Sequence, residues 1–179
     1  KAGQPLVLDG DGIAMTRLLI DGTPAESDRY SATPDGLTLP KPPSAKRFRL
    51  TIETTLDPSR NEALMGLYRS NGVYWTQCEA EGFRRITYYL DRPDILSVYS
   101  VRIEASNQEG PLLLSNGNPV EAGDLSGGKH FAVWHDPFPK PSYLFALVAG
   151  DLGAVTDTFV PRSGRTVDLG VYVERGKED

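Results

Sequence analysis

The side chains best suited to chemistry lie in one polar segment, residues 76–85, which directly follows the apolar residues 73–75. If the strand predicted there continues, Gln77 and Glu79 point to the same side of a sheet, because side chains two positions apart on a strand share a face. On residue type alone, the simpler interpretation is a pair of solvated polar side chains on a wet surface. The pattern by itself leaves both interpretations open.

Glu79 and Glu81 could also form a pair of carboxylates in a self-contained hydrolase. Inverting glycosidases separate their two carboxyl groups by about 6.5–9.5 Å. Side chains two positions apart on one strand stand closer than that, so we rank this hypothesis last.

Other candidate sites are weaker. His130 and His135 are an odd number of positions apart, which sends them to opposite faces of a strand and makes a shared metal improbable. Residues 9–12, Asp-Gly-Asp-Gly, lack the further oxygen ligands of a calcium loop and are interpreted as a turn. Metalloprotease, serine-hydrolase, P-loop and dinucleotide-binding motifs are absent from the sequence.

Composition narrows the class of protein. The 179 residues predict a single domain with its own core. A net charge of -5 with scattered basic residues argues against nucleic acid as a partner. The single cysteine, Cys78, excludes an intrachain disulfide and is expected in the core, and no apolar run is long enough to span a bilayer. The start at Lys1, without Met or a signal-like segment, indicates an excised piece.

The elements around the polar segment are predicted to be strands. Turn dipeptides such as Asn71-Gly72 recur along the chain and are typical of hairpins. Strands are predicted at residues 48–54, 73–76, 96–103, 131–135, 143–148 and 166–173. One short helix is predicted over residues 79–89, and the Pro-rich residues 40–43 and 137–141 are predicted to be extended connections. The fold class is therefore all-β and mainly antiparallel, a two-layer sandwich or saddle-like sheet with at most one or two short helices.

The polar segment is also the core of a family resemblance. Residues 74–94, YWTQCEAEGFRRITYYLDRPD, resemble the first signature block of aminopeptidase N, especially its bacterial form. Further blocks agree in order at residues 112–118, 136–151 and 162–165, and the resemblance is weakest before Ser44. The chain is thereby identified as similar to the N-terminal β domain of this gluzincin family of zinc aminopeptidases, truncated at both ends.

This resemblance implies a multidomain zinc exopeptidase that removes N-terminal residues from peptides. The Gly-Ala-Met-Glu-Asn and H-E-x-x-H motifs would lie beyond Asp179, so the resemblance implies zinc in the parent enzyme and neither metal ligands nor catalytic residues in this segment. Residues 1–179 would form one N-terminal domain that leans over the catalytic domain of the same polypeptide. The bacterial form implies a cytoplasmic parent. Lys1 would follow the family's opening strands, so an exposed sheet edge could allow self-association.

By the same resemblance, Gln77 and Glu79 match the positions that line the first substrate pocket and bind the free amino group of the peptide. A peptide α-ammonium has a pKa near 8, and a nearby carboxylate favours its charged form. Glu79 would supply charge, while Gln77 would accept an N–H and give direction. Arg84 and Arg85 could brace carboxylates, form a domain interface or simply be solvated.

An alternative is a stand-alone β-sandwich binding module without a catalytic role. The absent catalytic motifs and the expected exposure of Trp75 and Trp134 favour it.

Overall fold

The computed structural model describes residues 3–178, and the regular elements among them are almost all strands. The strands are β1 (Leu6–Asp9), β2 (Ala14–Ile20), β3 (Thr23–Pro24), β4 (Ser31–Thr33), β5 (Gly36–Leu39), β6 (Leu50–Thr55), β7 (Gly66–Ser70), β8 (Val73–Gln77), β9 (Ser97–Ser106), β10 (Leu112–Ser115), β11 (Asn118–Leu125), β12 (Lys129–Lys140), β13 (Leu147–Gly150), β14 (Leu152–Phe159) and β15 (Val167–Glu174). Three short 3-10 turns cover Pro58–Arg60, Phe83–Arg85 and Ser142–Leu144.

The strands form four small sheets and a separate two-stranded ribbon. The sheet orders are β1-β5-β4, β3-β2-β6, β10-β13-β8-β7 and β11-β12-β9, and β14 pairs with β15. Every strand pairing among the described residues is antiparallel. The predicted all-β, antiparallel class is confirmed.

Two apolar cores hold these sheets in layers. The first contains Leu8, Leu18, Leu37 and Tyr88, so the sheets of β1 and β2 pack face to face. The second contains Ile103, Leu113 and Ala149, with Trp134 packed against them, and joins the sheet of β8 to that of β12. The strand predicted at residues 48–54 corresponds to β6, whose Leu50 and Ile52 pack on the first core.

The hairpin of β7 and β8 forms as its turn residues predict. Asn71 and Gly72 both have positive φ, 50° and 82°, the conformation that a two-residue hairpin turn with the twist of the strands requires. The register then pairs Ser70 with Val73 and, at the far end, Gly66 with Gln77. The position of Gln77 therefore follows from this turn.

The short helix predicted over residues 79–89 is wrong. Only Phe83–Arg85 form a 3-10 turn. Backbone groups in and after this turn bond to another segment instead: the N–H of Asp11 donates to Arg84 O, and Tyr89 exchanges two backbone hydrogen bonds with Asp9. Tertiary contacts take up these groups, and a continuous series of i to i+4 bonds, which a helix needs, does not form.

The strand predicted over residues 143–148 is only partly correct. Ser142–Leu144 form a 3-10 turn, and β13 begins at Leu147. The side chain of Asn116 bonds to the backbone here, donating to Leu144 O and accepting from the N–H of Ala146. Residues 137–141 are extended as predicted, but β12 continues through them to Lys140 with a register shift after Asp136.

No helix within residues 3–178 has the length and apolar character that a membrane crossing would need.

Candidate functional site

The candidate site begins where β8 ends. Gln77 is the last residue of β8 and is exposed, Cys78 is buried, and Glu79 is again exposed just beyond the strand. The strand predicted at residues 73–76 thus extends by one residue and does not continue to Glu79, although the alternation of exposed and buried side chains persists. The peptide bond between Glu79 and Ala80 is cis.

The loop after β8 folds back tightly against the hairpin. The N–H of Gly82 donates to Cys78 O at 2.9 Å. A Cβ added to Gly82 would lie 2.4 Å from Gln77 O, 2.8 Å from Cys78 Cα and 3.0 Å from the backbone N of Gly66, so only glycine fits there. Close backbone packing thus fixes the path of the chain on both sides of Glu79.

The two glutamates in this loop differ in whether their carboxylates have a partner. Glu81 forms an ion pair with Arg84 at 3.5 Å. Within residues 3–178, by contrast, the Glu79 carboxylate has no hydrogen-bond or ion-pair partner. The side-chain amide of Gln77 directs Nε2 towards the backbone oxygen of Glu79, at a long 3.5 Å, which leaves the amide oxygen free to accept. An unpaired carboxylate and an available amide oxygen therefore lie at the surface together.

Arg84 is held by a buried acid that the sequence did not single out. Its Nε donates to Asp91 Oδ2 at 3.0 Å, and its terminal nitrogen donates to Asp91 O at 2.9 Å. The Asp91 side chain is 1% exposed, and its second oxygen accepts from the hydroxyl of the buried Ser142. The only signal in the sequence was the match of Asp91 and Ser142 to the resemblance blocks. Asp91 thus ties the loop to the start of the 142–144 turn.

Arg85 braces a different carboxylate. Its Nε donates to Asp11 Oδ2 at 2.7 Å, while Asp9 Oδ2 accepts from the N–H of Asp91 at 3.1 Å. Asp9 ends β1 and residues 10–12 connect it to β2, so the segment predicted as a turn begins within the strand, and its two acids bind protein groups. Of the three interpretations left open for Arg84 and Arg85, bracing of carboxylates is the one that the structure shows.

Cys78 packs in the interior as predicted and is 1% exposed. Burial raises the pKa of its thiol from 9.0 to about 12, and the charge of Asp91 adds to the shift. At neutral pH the thiol therefore keeps its proton, and a buried, protonated thiol is a poor nucleophile.

The two histidines do not meet. Both lie on β12, but His130 Nε2 bonds to Gly110 O at 2.6 Å, whereas His135 Nδ1 bonds to Ser100 Oγ at 2.8 Å. Across residues 3–178, no three or more His, Cys, Asp or Glu side chains come together in a way that could hold a metal ion.

The expectation of two exposed tryptophans is wrong. Trp134 packs against the second core, and its indole N–H donates to Leu113 O at 3.0 Å. Trp75 is half-buried in β8, where it pairs with Val148. The feature that favoured a stand-alone binding surface is thus absent from these two positions.

Comparison with protein families gives the class to which this arrangement belongs. Residues 8–144 match the Peptidase M1 N-terminal domain, and the chain belongs to that family.

Curated relatives extend the match over almost the whole chain. Aminopeptidase N of Caulobacter vibrioides is 57% identical over 174 residues, covering 97% of this chain and 20% of the relative. Aminopeptidase N of Escherichia coli is 47% identical over 175 residues, covering 98% and 20%. The chain therefore spans about a fifth of the length of the curated relatives that it matches.

Solved structures agree. Legionella pneumophila aminopeptidase A, solved in complex with aspartic acid, superposes with a TM-score of 0.91 at 37% identity, over 96% of this chain and 20% of that one. An M1 zinc metallopeptidase from Deinococcus radiodurans superposes with a TM-score of 0.79 at 20% identity, over 97% of this chain and 40% of that one, which shows the shared fold.

Proposed function

We propose that this chain is the substrate-recognition domain of an aminopeptidase, in which Gln77 and Glu79 bind the free α-amino group of a peptide and line the first substrate pocket. Residues 1–179 act as one N-terminal domain. The hydrolytic centre, with its zinc, belongs to the remainder of the polypeptide, so this segment alone is inactive. The parent is cytoplasmic in this proposal.

The observation that carries the proposal is the unpaired carboxylate of Glu79. Its neighbour Glu81 pairs with Arg84, and Asp91 and Asp11 are bound by Arg84 and Arg85, but Glu79 has no such partner among the described residues. A carboxylate kept free in a braced loop is available to a cation from outside. The α-ammonium of a peptide is a cation of suitable charge and size.

Gln77 supports the same role through geometry. Its amide nitrogen is directed to the backbone oxygen of Glu79, so its own oxygen faces away as an acceptor. An ammonium has three N–H donors in fixed directions, and two acceptors of different kinds orient it better than one. Glu79 therefore attracts the ammonium by its charge, and Gln77 orients it by accepting one of its N–H groups.

Recognition of a free amine explains removal of single residues. An internal peptide bond presents no ammonium, so its binding would leave Glu79 desolvated and unpaired once the other domain covers the site. Leaving one charge of a buried pair without its partner costs about 2–5 kcal/mol. Peptides would therefore bind by their first residue.

The test uses the full-length polypeptide. Glu79→Ala should lower kcat/KM for aminoacyl anilides by about 30-fold or more, which corresponds to about 2 kcal/mol. Glu81→Ala is the matched control, since Glu81 is exposed and paired with Arg84, and it should change kcat/KM by less than about threefold. An unchanged kcat/KM in Glu79→Ala would refute the role of Glu79.

A further inference from the structure

The sequence contains the tripeptide Ser-Asn-Gly twice, at residues 70–72 and at residues 115–117. Asparagine followed by glycine is prone to spontaneous deamidation, because glycine has no Cβ to hinder attack of its backbone nitrogen on the neighbouring side-chain amide. The residues that flank the two asparagines are identical, so their intrinsic reactivity is matched. A difference in rate between the two sites in the folded protein would therefore come from the structure.

Asn71 lies at the exposed tip of the hairpin of β7 and β8. In the described structure its side chain makes one hydrogen bond, from Nδ2 to Glu174 Oε1 at 3.1 Å, and this contact is at the surface. A Cβ added to Gly72 would meet no atom within 4 Å, so there is open space around the backbone that follows the amide. Little holds this Asn-Gly pair in place.

Asn116, by contrast, is half-buried and held at both ends of its amide. Its Nδ2 donates to Leu144 O at 3.1 Å, and its Oδ1 accepts from the N–H of Ala146 at 2.6 Å. A Cβ added to Gly117 would lie 2.3 Å from His135 O, so the backbone after the amide is packed directly against β12. Both reacting groups at this second site are fixed by other parts of the fold.

We propose that Asn71 is a site of spontaneous modification, at which a cyclic succinimide forms and opens to aspartate and isoaspartate, whereas the fold protects Asn116. The deprotonated backbone nitrogen of Gly72 attacks Asn71 Cγ. The new N–Cγ bond forms as the Cγ–Nδ2 bond breaks, and ammonia leaves with the proton that the nitrogen lost. Water then opens the ring at either carbonyl, so the net reaction consumes water and releases ammonia.

The difference between the sites lies in the local opening that ring closure requires. The side chain of Asn71 must swing over the nitrogen of Gly72, and at the exposed tip of a hairpin such an opening costs little. At Asn116 the same movement breaks two hydrogen bonds to the backbone and displaces Gly117 from its packing. At the net value of a typical hydrogen bond, this difference corresponds to a rate ratio of about tenfold or more.

Either product changes the hairpin that carries Gln77. Aspartate in place of Asn71 cannot donate to Glu174, and its carboxylate would lie beside another carboxylate, so a hydrogen bond is replaced by repulsion. Isoaspartate adds a carbon to the main chain of a two-residue turn, which then no longer closes with Ser70 opposite Val73. The modification therefore loosens β7 and β8 from the turn inwards.

Peptide mass spectrometry on the full-length polypeptide tests this assignment. The protein is incubated at mildly alkaline pH, both folded and unfolded in urea, and the aspartate and isoaspartate peptides of each site are separated by chromatography. We expect equal rates at the two sites in urea and a rate at least about tenfold higher at Asn71 than at Asn116 in the folded protein. Gly72→Ala, measured in urea, should slow the reaction at Asn71 and leave Asn116 unchanged, because the added methyl group hinders the attacking nitrogen.

Equal rates at the two sites in the folded protein, or a higher rate at Asn116, would overturn the proposal. Formation of aspartate without isoaspartate at Asn71 would also overturn it, because the amide would then be hydrolysed directly and not through the ring. Enzymatic activity is not a readout, so the result is separate from that of the Glu79 test.

Discussion

Asp91 and Arg84 form a hydrogen-bonded ion pair of 3.0 Å in which the carboxylate is only 1% exposed. This pair joins the loop after β8 to the strands that follow it. The free carboxylate of Glu79 lies on the same loop. The position of the candidate site therefore depends on the Asp91–Arg84 ion pair, although neither residue is proposed to contact the substrate.

Loss of the Asp91 charge should destabilise the protein strongly. Asp91→Asn would leave Arg84 with only the exposed Glu81 as an anionic partner and disturb the hydroxyl of Ser142, and removal of one partner of a buried pair costs about 3 kcal/mol. Urea unfolding measures this change. The control is Asp94→Asn, since Asp94 is exposed and pairs with the equally exposed Arg92, and it should stay within about 0.5 kcal/mol of wild type. Equal stability of the two variants would contradict the claim that Asp91 stabilises the loop through Arg84.

Gly82 should be intolerant of any side chain. A methyl group there would meet Gln77 O at 2.4 Å, and the contacts are backbone atoms that cannot rotate away. Gly82→Ala should cost about 1–3 kcal/mol and should also lower kcat/KM in the full-length polypeptide, because the chain around Glu79 must shift.

Gly72→Ala is a control that separates the loss of stability from the loss of kcat/KM. Gly72 has a φ of 82° and open space around its Cα, so the added methyl strains only the hairpin turn. We expect a loss of about 1 kcal/mol in unfolding free energy with unchanged kcat/KM. If Gly82→Ala also left kcat/KM unchanged, the path of the loop would not determine the site.

Cys78 should make the protein less stable in alkali. Burial raises the pKa of its thiol from 9.0 to about 12, so between these pH values the unfolded chain releases a proton that the folded protein keeps. The unfolded state then binds fewer protons, and the free energy of unfolding falls as pH rises, by up to about 1.4 kcal/mol per pH unit.

The measurement compares urea unfolding of wild type and Cys78→Ala at several pH values from 8 to 11. The variant is less stable throughout because of the cavity it creates, but its stability should fall less steeply above pH 9. Burial is the main cause of the raised pKa of Tyr99, and the charge of Cys78 is the smallest, so the tyrosine contribution changes little between the two proteins. Parallel curves would show that the thiol is not the titrating group.

The turn residues were enough to predict the hairpin of β7 and β8, which carries Gln77. The conformation of residues 79–89 depends on tertiary contacts and could not be predicted. Asn71-Gly72 specified the turn of that hairpin because few other residues accept positive φ at both positions. The residues 79–89 have apolar spacing typical of a helix, yet Phe83 and Tyr88 are buried among different neighbours. A periodic pattern cannot show that two apolar residues pack among different neighbours.

Asp91 shows a second limit of the sequence. It is one of many acids in the chain, and its burial depends on Arg84 and on Ser142, which is 51 positions away. Gln77 and Glu79, by contrast, could be named in advance only through the family resemblance, because their residue types are equally typical of a solvated surface. Their exposure agrees with either interpretation, whereas the missing partner of Glu79 is a feature that required coordinates.

The central claim, that Glu79 binds the substrate amine, is tested most directly by a ligand pair in the full-length polypeptide. The Kd of an aminoacyl inhibitor and that of its analogue lacking the amino group are measured for wild type and for Glu79→Gln, which keeps the size of the side chain and removes its charge. The account predicts that the variant loses about 2 kcal/mol or more of affinity for the amine and almost none for the analogue. An equal loss for both ligands would contradict it.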